Sequence, residues 1–163
     1  PMGPSPFTLE RAFFRKIAIQ ASLEKGAVPP KSIKTKIKTA QNPSDPLRVQ
    51  IILTVALAAD SQPPAGYFGE VELVGLFRIS EKIPAEDRER LTAINGATLL
   101  FGMAREMICT ITARGPWPMF VLPVVSFAGL KKLEKGPLAS SPADAAPTEL
   151  KSANKSKEPT GNP

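Results

Sequence analysis

Alternating apolar and polar residues predict four β-strands in the first half of the chain. The clearest is Leu47 to Leu57, in which every odd-numbered position is apolar, and Tyr67 to Ile79 shows the same period of two. The stretch Leu9 to Ile19 is apolar and aromatic without regular alternation, which is typical of a strand covered on both faces. Ile33 to Lys38 alternates strictly, so one face of this predicted strand carries three lysines.

The period changes to that of a helix in the second half. From Ala97 to Arg114 apolar residues fall at positions 100, 103, 104, 107, 108 and 111, and Gly115-Pro116 supplies the stop signal. Residues 85–90 could open the same helix or form a short one of their own. Trp117 to Pro123 is an apolar loop too rich in proline for a central strand, and Ser126 is a candidate cap of a short last helix through Leu133.

The two ends of the chain differ in composition from the patterned region. Gly136 to Pro163 holds five prolines, no aromatic residue and no Ile or Val, so it has little apolar surface to offset the entropy of ordering. We therefore predict one domain over residues 9–133, a disordered segment over residues 1–8 and a disordered Pro/Lys-rich tail over residues 134–163.

Composition excludes most enzyme classes. The 163 residues include no histidine and one cysteine, Cys109, so there is no imidazole base, no Ser-His or Cys-His pair and no Cys/His zinc cluster. We expect a non-enzymatic protein without metal or cofactor. No apolar run reaches the roughly 18 residues of a membrane span, and no secretion signal is visible, so we expect a cytoplasmic protein without membrane insertion.

The net charge of +6 allows an anionic partner. Nucleic acid is one candidate, but the chain has one Trp and one Tyr, and no stacking aromatic is interleaved with the lysines at 31, 34, 36 and 38. The alternative is that these lysines form a solvated strand face or protect a sheet edge from aggregation. Nucleic acid therefore stays the weaker hypothesis.

Several blocks of the chain resemble the SecB family of protein-export chaperones. The family's helix block, Leu-Phe-Pro-Tyr-Ala-Arg-Glu, is similar to Leu100-Phe101-Gly102-Met103-Ala104-Arg105-Glu106. Arg114-Gly115, Trp117-Pro118 and the segment from Leu122 to Phe127 follow in the family's order without a gap. Tyr67-Phe68-Gly69-Glu70-Val71 resembles the family's Phe-Leu-Cys-Glu-Val strand.

The resemblance implies an α+β fold, in which a four-stranded antiparallel sheet packs against the long helix. It also implies a homotetramer built as a dimer of dimers, and an ATP-independent holdase that keeps unfolded preproteins in apolar grooves and passes them to the SecA motor. On this basis the groove would be lined by the large apolar residues Phe68, Phe77, Trp117, Phe120 and Leu122. The pattern alone favours core packing for the loop residues among them, and the resemblance makes a groove wall an equal alternative.

The charges on the first and fourth predicted strands leave open whether the protein delivers clients to SecA. Glu70 matches one acidic docking residue of the family, whereas Lys16 and Gln20 stand at two other acidic positions. Like charges at a formerly complementary interface lower affinity and slow encounter. The family also includes SecB-like chaperones that guard an antitoxin, so a single dedicated client is the alternative to exported preproteins.

Two further groups have competing interpretations. Glu70 and Glu72 share a strand face, but no histidine or second carboxylate pair accompanies them, so surface docking is favoured over acid-base chemistry. Five helix residues at three- and four-residue steps lie opposite the apolar stripe and are predicted to contact another subunit: Thr98, Gly102, Arg105, Cys109 and Thr112. Cys109 would be a small residue filling a helix–helix contact.

Overall fold

The fold is seen in a computed structural model that describes residues 5–57, 65–130 and 134–136. It contains four long strands, one long helix and one short strand. In chain order these are β1 (Phe7–Ala21), β2 (Ile33–Asn42), β3 (Asp45–Leu57), β4 (Tyr67–Ile79), α1 (Ala85–Thr112) and β5 (Glu134–Lys135). The predicted α+β class is confirmed.

The strands form one sheet in the order β1-β4-β3-β2-β5. The four long strands pair antiparallel, as predicted, and β5 adds a short parallel pairing to β2. This fifth strand was not predicted because two charged residues carry no apolar period. It is held by an ion pair between Lys36 Nζ and Glu134 Oε2 at 3.1 Å and by a hydrogen bond from Gly136 N–H to Thr39 O at 2.8 Å.

Strand β1 differs from its prediction in two respects. It begins at Phe7, inside the segment predicted to be disordered, and the Phe7 ring stacks on Phe77 with centroids 4.6 Å apart. Register shifts after Leu9 and after Phe14 interrupt its alternation. Bulges explain the irregular pattern, and the expectation that both faces are covered was wrong, because Ile17 and several charged residues of β1 are exposed.

Helix α1 is continuous from Ala85, so residues 85–90 open the long helix and do not form one of their own. Glu86 and Asp87 lie in its first turn, where carboxylates interact favourably with the helix dipole. Gly96 permits close contact with the sheet, since a Cβ there would collide with the side chain of Ile51.

The core lies between α1 and one face of the sheet. Alternate residues of β3 and β4, including Ile51, Leu53, Leu73 and Phe77, are completely buried against Leu100 and other residues of the helix. We call this the helix face of the sheet, and the opposite side the outer face.

The segment after α1 extends the core toward β2. Leu122 is fully buried, and Phe127 packs edge-on against Phe101 with centroids 5.7 Å apart. The predicted last helix is absent from Ser126 to Leu130, where a hydrogen bond from Leu130 N–H to Phe127 O closes a single turn. The predictions for residues 1–4, 131–133 and 137–163 lie outside the described residues.

Candidate functional site

An apolar concavity lies where the connection between β1 and β2, the start of β4 and the loop after α1 meet. It is a cleft of about 190 Å³ with walls of mainly apolar residues. We call it the Trp117 cleft, and its lining residues are Ala27, Val28, Pro29, Pro30, Gly66, Tyr67, Trp117, Pro118, Met119 and Phe120.

Tyr67 organises the closed end of the cleft. Its buried hydroxyl lies 2.6 Å from Trp117 O and 2.9 Å from Thr112 O, and it accepts a hydrogen bond from Trp117 N–H at 3.2 Å. Gly115 packs directly on the Tyr67 ring, because a Cβ at Gly115 would collide with the phenol. One buried polar atom therefore joins the end of the helix to the start of the loop.

The Trp117 side chain is held on both sides. Its indole N–H donates to Ser22 O at 2.6 Å, and its ring packs on Gly66, where a Cβ would lie 3.0 Å from the indole Cγ. Trp117 is half-buried, and an indole with its N–H satisfied presents a large apolar surface in one orientation. Trp117 is therefore a rigid wall of the cleft.

Phe120 is positioned by two helix residues that the sequence analysis assigned to a subunit interface. The completely buried Thr112 hydroxyl accepts Phe120 N–H at 3.0 Å and donates to Ile108 O at 2.7 Å. The half-buried Cys109 Sγ lies 3.6 Å from Phe120 O. Thr112 cannot meet another subunit from this position, so its assignment to a subunit interface was wrong. It holds the loop to the helix.

The exposed side of the same loop carries apolar residues that the sequence analysis missed. Met119 is 55 % exposed and lines the cleft, while Val121 is 42 % and Val124 is 83 % exposed. The signal was present as an alternation around Pro118 and Pro123, because positions 119 and 121 are exposed whereas positions 120 and 122 turn inward. The loop thus has a buried, hydrogen-bonded side and an apolar, solvent-facing side.

The five predicted groove residues do not lie together. Trp117 and Phe120 share the cleft, but Phe77 and Leu122 have no exposed surface and belong to the core. Those two assignments are corrected. Alternation identifies the two faces of β4 without showing that the helix covers the face of Phe77, and Leu122 lies on the inward side of the loop. Phe68 is 38 % exposed on the outer face, in a separate broad depression that also includes Leu23.

Charge pairs on the outer face neutralise the acidic residues of β4. Lys16 Nζ donates to Glu70 Oε1 at 2.6 Å, and Arg15 is paired with Glu72. The hydrogen bond to Glu70 raises the pKa of Lys16, and the hydrogen bond from Arg15 lowers the pKa of Glu72. Glu70 is thus paired with a lysine at the position where the sequence departs from the SecB pattern.

The remaining predicted interface residues lie on α1 away from the sheet. Thr98 and Gly102 are exposed, Arg105 is half-exposed, and no atom lies within 4 Å of a Cβ placed on Gly102. Leu91 and Leu99, about 40 % exposed, add apolar surface to the helix. Within the described ranges, no three His, Cys, Asp or Glu side chains are grouped to hold a metal ion, and no helix has the length and apolarity to cross a membrane.

Comparison with known proteins gives consistent results. The family model of the preprotein translocase subunit SecB matches residues 7–135. The protein-export protein SecB of Rhodopseudomonas palustris is 32 % identical over 128 residues, which cover 77 % of either chain. That of Halorhodospira halophila is 28 % identical over 113 residues, which cover 69 % of this chain and 65 % of the relative, slightly less than two thirds of its length.

A solved structure shows the same fold at low sequence identity. The SecB-like chaperone of Mycobacterium tuberculosis, solved with a peptide from the HigA1 antitoxin, is 16 % identical and has a TM-score of 0.55. The likeness covers 74 % of this chain and 91 % of that chain. Because the family model spans well over half of the residues, this chain belongs to the SecB family.

Proposed function

We propose that the protein is a cytoplasmic, ATP-independent holdase that binds extended segments of unfolded client proteins at the Trp117 cleft and along the exposed side of residues 119–124. The supporting observation is the two-sided loop. Polar groups of Trp117 and Phe120 are bonded to Tyr67, Thr112 and Ser22 on the inner side, while the side chains of Met119, Val121 and Val124 on the exposed side are apolar. Such a surface binds by burial of area and demands no particular side-chain sequence.

Export is the client pathway we favour, because the curated SecB relatives carry that function in their names. A dimer of dimers, as in the SecB pattern, would bring several clefts into one assembly and let one long client occupy more than one of them. Binding at linked sites raises the apparent affinity without any new contact.

A dedicated client, such as an antitoxin, is the second candidate. It is favoured by the Lys16–Glu70 ion pair, which leaves β4 without a free carboxylate at the position implied for SecA docking. The SecB-like chaperone of Mycobacterium tuberculosis was solved with an antitoxin peptide. Mass spectrometry of co-purified proteins separates the two candidates, since export yields a mixture of precursors and dedication yields one small protein.

The test of the holdase is the double substitution Met119→Ser with Val121→Ser. Trp117 and Phe120 are unsuitable targets because their bonds to Ser22 and Thr112 position the loop. Burying half of each exposed apolar side chain on a client contributes about 1 kcal/mol per residue, so losing both should weaken binding at least tenfold. The readout is suppression of aggregation of reduced, unfolded α-lactalbumin.

Leu91→Ser is the matched control. Leu91 is 39 % exposed, similar to Val121, but it lies near the opposite end of α1. The control should suppress aggregation like the unmodified protein, and both variants should keep their circular dichroism spectra. If the double variant suppresses aggregation at the original stoichiometry, clients do not bind this loop.

A further inference from the structure

Two of the chain segments that line the Trp117 cleft contribute positive charge and no negative charge. Residues 25–44, which include the cleft wall at 27–30, contain five lysines and no Asp or Glu. Residues 115–130, which include the loop wall, contain no charged side chain. Burial of apolar area gives these lysines no role in client binding, so their position relative to the cleft needs a separate explanation.

Lys25 and Lys31 lie at the two ends of the wall formed by residues 27–30, and both side chains are exposed. Gly66 N–H donates to Val28 O at 2.7 Å, which holds this wall against the start of β4. Consecutive Cα atoms are about 3.8 Å apart, so the Cα of Lys31 is about 3.8 Å and that of Lys25 at most about 7.6 Å from a residue that lines the cleft. Both distances are shorter than the Debye length of about 8 Å at physiological salt.

The charges of these two lysines are not balanced by a carboxylate within the described part of the chain. No ion pair among the described residues includes Lys25 or Lys31, whereas Lys36 is paired with Glu134 at 3.1 Å. Glu24, the neighbour of Lys25 in the chain, lines the depression on the outer face. The rim of the cleft therefore has an excess of positive charge next to the path of an extended client.

We propose that the Trp117 cleft selects client segments in which large apolar residues are flanked by aspartate or glutamate. The proposal rests on the holdase function and adds a chemical class of client to it. The apolar walls provide affinity through buried area, while Lys25 and Lys31 attract acidic flanks and repel basic ones. Nucleic acid is a poorer fit, because the space beside the two lysines is an apolar cleft that offers a phosphate backbone no further polar partner.

Three peptides that share one apolar core and differ only in their flanks test the selectivity. The flanks are two glutamates, two serines or two lysines at each end, and binding is measured by fluorescence anisotropy of a neutral dye on the peptide. An exposed ion pair changes affinity by up to about fivefold, so at low salt the acidic peptide should bind at least about fivefold more tightly than the basic one. Half-molar salt should remove most of this difference.

Lys25→Gln with Lys31→Gln is the variant that removes the rim charge. It should abolish most of the preference for the acidic peptide and leave the affinity for the serine-flanked peptide unchanged. Lys82→Gln is the matched control, since Lys82 is also exposed but precedes α1 at the end of the helix far from the cleft. The control should keep the full preference.

The outcomes separate the selectivity from the holdase function. Equal affinity for the three peptides, together with weaker binding of all three by Met119→Ser with Val121→Ser, would refute the selectivity and leave the holdase intact. An acidic preference that survives in Lys25→Gln with Lys31→Gln would also overturn the proposal. A serine-flanked peptide that does not bind would contradict the holdase and the selectivity with it.

Competition with single-stranded oligothymidine of the same charge distinguishes an acidic peptide from nucleic acid. The oligonucleotide should displace the labelled acidic peptide at least tenfold less effectively than the unlabelled peptide does. Equal or better displacement would show that the rim binds any polyanion and would overturn the proposal.

Discussion

Replacing Thr112 with valine tests how the Trp117 cleft is built. The change keeps the side-chain volume and β-branching of a completely buried residue and removes only its hydroxyl. That hydroxyl accepts Phe120 N–H at 3.0 Å, so the substitution leaves a backbone donor without its partner. A buried donor that loses its partner costs about 1–3 kcal/mol. We expect the free energy of unfolding to fall by that amount.

The assay is urea unfolding at constant protein concentration, followed by fluorescence of Trp117, the one tryptophan of the chain. Amide hydrogen exchange adds the local readout, because the Phe120 amide should lose protection while the amides of β3 retain theirs. Thr110→Val is the matched control, since Thr110 lies on the same helix, is exposed, and has its hydroxyl bonded to the Glu106 side chain rather than to the loop. If Thr112→Val matches this control in stability and in Phe120 protection, the hydroxyl does not hold the loop.

Three further predictions address other parts of the fold. Gly69→Ala should lower the free energy of unfolding in urea by about 1–3 kcal/mol or more. Gly69 has φ +119°, and a Cβ there would collide with Ala18 O of β1. A variant as stable as the unmodified protein would contradict this. Pairing with Arg15 lowers the pKa of Glu72 from its ordinary value of 4.5. The stability that the ionised Glu72 contributes is therefore complete above about pH 4.5 and is lost as the pH falls through the lowered pKa. Glu72→Gln should flatten the loss of stability in acid, and an unchanged acid profile would show that the pair contributes nothing. Gly102→Trp should lower the oligomeric state measured by light scattering, because the bulky ring would obstruct the predicted subunit contact. The circular dichroism spectrum should not change, since no atom of the same chain lies within 4 Å of a Cβ at this position. An unmodified protein that is monomeric at micromolar concentration would refute the predicted interface.

Periodic elements could be predicted from the sequence, because their period is a direct consequence of one-sided burial. The alternation from Leu47 to Leu57 and the helical spacing after Ala97 both correspond to observed elements. The bulges of β1 could not be predicted, since an inserted residue breaks the alternation without marking where. Strand β5 could not be predicted either, because it is placed by tertiary bonds: Glu134 pairs with Lys36, and the adjacent Gly136 N–H donates to Thr39 O.

The candidate site could be predicted only in part, because its loop has no regular period. Aromatic residues among prolines correctly drew attention to Trp117 and Phe120, but residue type could not separate the buried Leu122 from the exposed Met119 and Val121. That separation depends on which side of the loop faces Thr112 and Tyr67. Those two residues bond through single hydroxyl groups, and a hydroxyl in a sequence carries no periodic signal.

The most direct test of the central claim is to record where an unfolded client touches the protein. A photo-reactive phenylalanine analogue placed at position 119 should cross-link to reduced, unfolded α-lactalbumin and give no product with the native, disulfide-bonded protein. The same analogue at position 91, which is similarly exposed but near the opposite end of α1, should give at least tenfold less product. Equal or greater cross-linking at position 91 would contradict the assignment of client binding to the Trp117 cleft.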